Sequence, residues 1–89
     1  MALLVVEHTV SDYAAWRKVY DAFKGVQDAA GVTAQSVYRS KNDANLVLVL
    51  HSFASMAEAE AMVASPALHE AMKNAGVIGM PRVEFFEEA

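Results

Sequence analysis

Residues Asn45–Phe53, NLVLVLHSF, decide the fold of this chain. They contain five consecutive apolar residues, Leu46 to Leu50, and follow a polar turn sequence, NDAN, at positions 42–45. A short apolar run bounded by turn residues is typical of a β-strand that is buried on both faces. An antiparallel strand with one face in water would instead alternate apolar and polar residues. We therefore predict a central strand, over residues 45–53, that is covered on both sides.

A second strand of the same kind is predicted over Ala2–Thr9, ALLVVEHT, because its apolar residues occupy both faces. The rest of the 89-residue chain has room for two helices, which can cover only one face of a sheet. A second copy of the same sheet is the simplest cover for the other face. We therefore expect a homodimer that packs through its sheet faces.

Composition limits the kind of protein that this chain can be. Its 89 residues make a single domain, 1–89, of a size that buries only about 60–65% of its unfolded surface and gains stability by dimerising. The net charge is −4 and no basic cluster is present, so we expect neither nucleic acid nor a membrane as partner. The chain has no cysteine, which excludes disulfides and thiolate chemistry. Without a signal sequence or a membrane-spanning run, a cytoplasmic location is expected.

Two helical regions are predicted from capping residues and apolar spacing. The first runs from about Asp12 to Ala30, with Ser11 as N-cap and Gly31 after its end. Its apolar stripe is mostly aromatic and consists of Tyr13, Trp16, Val19, Tyr20, Phe23 and Val26. The second begins at a capping box, SMAE at 55–58, and restarts at Pro66 with Ser65 as its cap. It is therefore predicted in two pieces, the second of which ends before Gly76.

The remaining strands complete an α+β arrangement. Val32–Lys41 predicts a polar strand, at a sheet edge or facing a wet cavity, and Arg82–Glu88 predicts the last strand after a loop over Val77–Pro81. The order β-α-β-β-α-β is the ferredoxin-like arrangement, with a four-stranded antiparallel sheet in the order 4-1-3-2 and helices on one face. That order makes the two doubly covered strands the central pair, which supports the assignment independently.

Four segments carry a resemblance to a known family. They read H-x-V-x-D-Y-x-x-W-x-x-x-Y-D over 8–21, V-Y-R-S-x-x-D over 37–43, S-P-A-L-x-E-A-M over 65–72, and A-G-V-x-G-x-P over 75–81. Together they resemble the dimeric α+β-barrel superfamily, most closely its antibiotic biosynthesis monooxygenase-like domains. The resemblance implies a barrel of two sheets packed face to face, with a pocket between each subunit's sheet and helices.

The resemblance also implies a range of activities. The superfamily includes cofactor-independent monooxygenases that form quinones, polyketide cyclases, lactone isomerases and heme-degrading enzymes. We therefore expect an enzyme that needs no cofactor and acts on an aromatic or polyketide-like small molecule. The chain has no paired acid and base, so the alternative is a non-catalytic dimer that binds a small molecule or is structural.

His8 is the candidate catalytic base. It ends an apolar strand, at the position that corresponds to a polar pocket residue of the family. An imidazole, with an ordinary pKa of about 6.5, is suited to removing a proton from a phenol or an activated C–H. The resulting phenolate or carbanion can then react with oxygen itself. The alternative is a structural histidine that hydrogen-bonds to the backbone at the end of the strand.

Six further residues are candidates for substrate binding. Trp16 and Tyr20 could form a wall that stacks on a flat polycyclic substrate, and Tyr38 could donate a hydrogen bond to its carbonyl. His51, Met62 and Met72 are the other candidates for the pocket lining. Packing in the core is the alternative for the aromatic residues and methionines. For His51, the favoured alternative is burial in the dimer interface beside Glu7 or Glu84.

No metal or heme site is expected. His8 and His51 end neighbouring antiparallel strands, which places them toward opposite ends of the sheet, and no H-x-H or H-x-x-x-H spacing occurs. The heme-degrading branch carries Asn, Trp and His at the positions that match His8, Met62 and Met72 of this chain. Met72 could offer only a thioether as an axial ligand, so heme degradation is not expected.

Overall fold

The computed structural model describes all 89 residues and confirms the predicted ferredoxin-like α+β fold. Its elements are β1 (Ala2–Val10), α1 (Tyr13–Ala22), α2 (Lys24–Ala30), β2 (Val32–Arg39), β3 (Leu46–Phe53), α3 (Met56–Ala64), α4 (Pro66–Asn74) and β4 (Val77–Glu87). The sheet order is β2-β3-β1-β4, with every neighbouring pair antiparallel. This is the predicted order 4-1-3-2 read from the other edge, and β1 and β3 are the central strands.

The two central strands pack their alternate residues against the helices. Leu4, Val47 and Phe53 lie on this face and are at most 1% exposed. The residues between them, which include Leu3 and Leu48, point to the other face and are only partly buried within one chain. The sheet therefore has one core face and one open face, and the open face carries most of the apolar residues that suggested a second cover.

The first helical region differs from the prediction. It breaks at Phe23, which ends α1 and begins α2. The break turns α2 so that Gln27 is buried and Val26 is 43% exposed. Val26 was therefore wrongly included in the apolar stripe. The N-cap of α1 is Asp12 and not Ser11, because the Asp12 carboxylate accepts the backbone N–H of Ala14 at 2.9 Å.

The second helical region divides at Pro66, as predicted. The capping box is present, with Ser55 Oγ accepting the Glu58 backbone N–H at 3.3 Å. The side chain of Ser65 makes no capping hydrogen bond, contrary to the prediction. The imidazole Nε2 of His69 instead bonds to the carbonyl oxygen of Val63 at 2.8 Å, which ties the two pieces together.

Strand β4 begins earlier than predicted, because Val77–Pro81 continues the strand instead of forming a loop. The irregular sequence is accommodated by a bulge. Glu7 pairs with Arg82 and Thr9 pairs with Ile78, so four positions along β4 match two along β1. Gly79, with φ of 70°, allows the left-handed backbone turn inside it. The bulge lies beside His8, the residue between the two paired positions of β1.

Two glycines, Gly31 and Gly25, allow a matched test of the role of glycine at the end of helix α2. Gly31 has φ of 99°, and a Cβ there would collide with the Glu58 carboxylate. Gly25 lies within α2 and has open space around it. We expect Gly31→Ala to lower the free energy of unfolding by about 1–2 kcal/mol. Gly25→Ala should raise it by about 0.5–1 kcal/mol. Urea unfolding followed by circular dichroism measures both, and equal effects at the two positions would contradict this assignment.

Candidate functional site

A cavity lies between the sheet and the helices and has a volume of about 60 Å³. It is lined by fifteen residues, of which twelve are hydrophobic. They are Leu4, Val6, His8, Trp16, Val19, Tyr20, Phe23, Gln27, Val49, His51, Met62, Leu68, Ala71, Met72 and Ala75. The cavity is therefore a narrow, mostly apolar space with a few polar side chains in its wall.

The cavity brings together six of the seven residues proposed from the sequence. They are His8, Trp16, Tyr20, His51, Met62 and Met72. Tyr38 is not among them. It pairs with Leu48 in the sheet, which places it on the open face, and it is 55% exposed. The proposal that Tyr38 orients a substrate in this cavity is therefore wrong, because successive residues of a strand point to opposite faces.

Aromatic rings form a continuous row along one wall of the cavity. Tyr13, Trp16 and Tyr20 are stacked, with centroids 5.8 Å apart for the first pair and 4.8 Å for the second. The row continues from Tyr20 to the imidazole of His51 at 6.0 Å. At the other end His8 meets Trp16 edge to face at 5.6 Å. The aromatic face of helix α1 thus packs between His8 and His51, which belong to the two central strands.

His51 belongs to the cavity and not to the open face. It pairs with Leu4 on β1, whereas Glu7 and Glu84 occupy the opposite face. The prediction of an interface partnership with either glutamate is therefore wrong. The His51 Nε2 atom lies 2.9 Å from the Tyr20 hydroxyl, and that hydroxyl donates a hydrogen bond to Gln35 Oε1. A hydroxyl has one proton, so in this arrangement His51 Nε2 donates to Tyr20.

Burial changes the acid–base properties of this pair. It lowers the pKa of His51 to about 4, so the imidazole is neutral at neutral pH. It raises the pKa of Tyr20, an effect that the neighbouring Gln27 side chain partly offsets. The Nδ1 atom of His51 is buried and has no hydrogen-bond partner in the protein. The Tyr20–His51 pair is therefore a neutral hydrogen-bonded unit with one unused nitrogen.

His8 is the least restrained polar group in the cavity wall. It is 6% exposed, and neither of its ring nitrogens has a hydrogen-bond partner in the protein. The alternative of a histidine bonded to backbone is thus contradicted. Burial lowers the pKa of His8, so at neutral pH the ring is uncharged. A neutral imidazole with no internal partner offers a free nitrogen lone pair that can accept a proton.

Gln27 was not predicted as a site residue, although it is 1% exposed and lines the cavity. Its Oε1 atom is buried without a partner. An apolar stripe cannot reveal a polar residue, so the pattern led to Val26 instead. The position of Gln27 in the sequence did indicate burial. Gln27 follows Tyr20 by seven residues and Phe23 by four, which is the spacing of residues on one face of a helix.

The two histidines share the cavity but are separated along it. His8 pairs with Val47, four residues before His51 on β3. The structure contains no group of three or more His, Asp or Glu side chains that is arranged to hold a metal ion.

The helices of the structure are all too short or too polar to cross a membrane.

Comparisons with known proteins identify the fold. No protein-family model and no curated protein matches the sequence. The structure is similar to a candidate antibiotic biosynthesis monooxygenase from Bordetella bronchiseptica, with a TM-score of 0.83, 12% identity, and coverage of 99% of this chain and 96% of the other. It is also similar to SnoaB, a cofactor-independent oxygenase from Streptomyces nogalater, with a TM-score of 0.80, 13% identity and coverage of 99% and 92%.

A third solved structure agrees with these two. It is a candidate antibiotic biosynthesis monooxygenase from Caulobacter crescentus, with a TM-score of 0.79, 20% identity and coverage of 99% and 89%. At these identities the similarity establishes a shared fold. It confirms, at the level of fold, the resemblance to antibiotic biosynthesis monooxygenase-like domains that the sequence segments indicate.

The lowered pKa of His51 predicts a pH-dependent stability. In the unfolded chain the imidazole binds a proton as the pH falls below about 6.5, whereas in the folded chain it stays neutral until about pH 4. The contribution of His51 is therefore present above pH 6.5 and is lost as the pH falls, by up to about 3 kcal/mol at pH 4. We expect the wild type to lose more stability than His51→Gln over this range.

Urea unfolding at pH 4 to 8 measures the difference between the two proteins. His69→Gln, a change at an exposed histidine, is the control. It removes the bond to Val63, and its difference in stability from the wild type should stay constant with pH. A difference between wild type and His51→Gln that stays constant with pH would contradict the buried, neutral state of His51.

Proposed function

From the fold that this chain shares with antibiotic biosynthesis monooxygenases, we propose that it is a cofactor-independent enzyme that begins by removing a proton from a small aromatic substrate. Oxygenation is the reaction that we favour, and cyclisation or isomerisation would start in the same way. The observation that carries the proposal is His8. It is a neutral, unpartnered imidazole within an apolar cavity, in contact with an aromatic wall.

The proposed reaction needs only a base, a substrate and oxygen. A nitrogen of His8 accepts the proton of a phenol hydroxyl, which leaves an electron-rich phenolate. The phenolate ring donates electrons to O₂ and forms a carbon–oxygen bond at a ring carbon that bears hydrogen. The O–O bond then breaks as His8 returns the proton. One oxygen atom becomes the second carbonyl of a quinone, and the other leaves as water with the two hydrogens that the substrate has lost.

The other cavity residues would bind the substrate and exclude water. The stacked pair Trp16 and Tyr20 offers a flat surface to an aromatic ring. Met62 and Met72 give a flexible apolar part of the cavity wall. Excluding water strengthens the interactions of the phenolate with its neighbours and protects the reactive species from side reactions.

Removing the base should remove the activity. We expect His8→Ala and His8→Gln to lower kcat for 1-naphthol about 10²–10⁴-fold, the usual contribution of a general base. The measurement is quinone formation, with the incorporation of one ¹⁸O atom from ¹⁸O₂ read by mass spectrometry. His69→Gln is the control, because that imidazole lies outside the cavity. Full turnover in both His8 variants would remove His8 from the mechanism.

The decrease of kcat/KM at acid pH should report the protonation of His8. Burial lowers the pKa of His8, so the neutral base persists to a lower pH than a free imidazole with a pKa of about 6.5. We expect kcat/KM to reach half of its maximum at a pH below 6.5. A midpoint at or above pH 6.5 would contradict this.

We propose, further, that two copies of the chain pack through the open sheet face. That face carries half-buried leucines of β1 and β3, together with Ile78 and Phe86, which are 55% and 49% exposed. Arg82 at its edge contacts Glu7 and Glu84 at 3.8 and 3.3 Å. An apolar patch with a charged border is typical of a protein interface.

Sedimentation equilibrium tests the dimer. We expect a particle of twice the 9.6 kDa chain mass for the wild type and a single chain for Leu50→Lys, which places a charge opposite Val5 on the open face. Ala57→Lys, an exposed change on α3, should leave the dimer intact. A wild type that sediments as one chain at micromolar concentration would disprove the dimer.

The second candidate function is a protein that binds a small molecule without converting it. The lining of the cavity favours this function, because none of its fifteen residues is an Asp, Glu, Lys or Arg that could act together with a histidine as an acid–base pair. Tight binding of an aromatic probe with no quinone formed in oxygen would establish this alternative.

A further inference from the structure

Three buried polar side chains in the cavity wall have unused hydrogen-bonding atoms. They are His8, Gln27 and His51, which are 6%, 1% and 4% exposed. Most buried polar groups in proteins find a partner, because leaving one unpaired is costly. Three such groups facing one cavity therefore indicate a ligand that pairs with them.

The unpaired groups lie at two ends of the cavity. His8 and His51 are separated by four residues of strand β3, since His8 pairs with Val47, and this spacing corresponds to roughly 13 Å along the sheet. Gln27 belongs to the His51 end, because its side chain neighbours the Tyr20 hydroxyl and that hydroxyl contacts His51 at 2.9 Å. The stacked rings of Trp16 and Tyr20 lie between the two ends.

These dimensions limit the ligand. The two ends lie roughly 13 Å apart along the strand backbone. A hydrogen bond of about 2.8 Å at each end leaves roughly 7 Å for the ligand, which therefore carries its polar groups on opposite sides of its ring system. Two fused six-membered rings with substituents at opposite ends have this length. The cavity volume of about 60 Å³ has room for about four to six waters, the space of a molecule with about ten non-hydrogen atoms. A bicyclic ligand matches this volume.

We propose that the ligand is a planar molecule of two fused rings with a hydroxyl group at each end, and that Gln27 is a specificity-determining residue that binds the hydroxyl remote from His8. A hydroxyl both donates and accepts, so it can pair with the Gln27 amide in either orientation of that amide. This assignment deepens the proposed function, which places the reacting end of the substrate at His8. It narrows the expected substrate from a flat polycyclic molecule to a small phenol that carries a second hydroxyl group at its opposite end.

Calorimetric binding without oxygen tests the role of Gln27 separately from turnover. The probes are 2,6-dihydroxynaphthalene and 2-naphthol, which share one ring system and differ by one hydroxyl. A site built to pair with a hydroxyl discriminates against the analogue that lacks it. We expect the wild type to bind the diol about ten- to a hundredfold more tightly than 2-naphthol.

Two variants remove the polar group at comparable size, Gln27→Leu and Gln27→Met. In either one we expect the ratio of the two affinities to fall to about threefold or less, mainly through weaker binding of the diol. Val26→Ala, at an exposed position of the same helix, is the control and should keep the wild-type ratio. Two variants are used so that the comparison survives if one of them fails to fold.

The outcomes distinguish this inference from the proposed function. A wild type that binds both probes equally, or neither, overturns the inference, and so does a ratio that persists in the folded variants. Loss of the ratio in the variants supports it, whether or not the wild type forms any quinone. Failure to incorporate ¹⁸O would contradict the oxygenase and leave the binding result standing.

Discussion

The antiparallel register between β1 and β3 is the constraint on which both the core and the cavity depend. It sets Leu4 opposite His51 and His8 opposite Val47, with all four side chains on the helix-facing side of the sheet. A slip of one residue would move every side chain of a strand to the other face. The same pairing that buries the apolar core thus delivers both histidines to one cavity. Core packing and site geometry are, in this small domain, a single property of two strands.

Burying polar groups in this core costs folding free energy, which the apolar packing of the rest of the domain must offset. Uncharged imidazoles are cheaper to bury than charged ones, and the lowered pKa values of His8 and His51 express that difference. Tyr20 satisfies one nitrogen of His51. The remaining unpaired atoms lie along a cavity that can admit a partner molecule. Buried polar atoms without partners are typical of functional sites, where residues are selected to bind a ligand and not for stability alone.

Much of the fold could be predicted from the sequence because its signals are local and strong. The two doubly apolar strands identify the centre of the sheet, and Gly31 and Pro66 end or divide helices through their own backbone preferences. The break at Phe23 and the bulge in β4 could not be predicted in this way. Both depend on how a segment packs against the rest of the chain, and residue spacing does not record that.

The candidate site was predictable to a similar degree. Trp16 and Tyr20 followed from helical spacing, and His8 followed from its place on an apolar strand. Tyr38 and His51 depended on which face of a strand points to the helices. Neither the polar strand of Tyr38 nor the strand of His51, which is apolar on both faces, has the one-sided apolar pattern that gives this information. Gln27 was missed because the apolar pattern stands for the core, whereas the residues that define a binding site are the polar exceptions within it.

The position of Trp16 has a practical consequence. It is the only tryptophan of the chain, and its indole contacts His8 at one edge and Tyr20 across its face. All of the indole fluorescence of the protein therefore originates in the wall of the cavity. The sequence thus carries a fluorescent reporter beside the space that a ligand would occupy, and no label needs to be attached to observe binding.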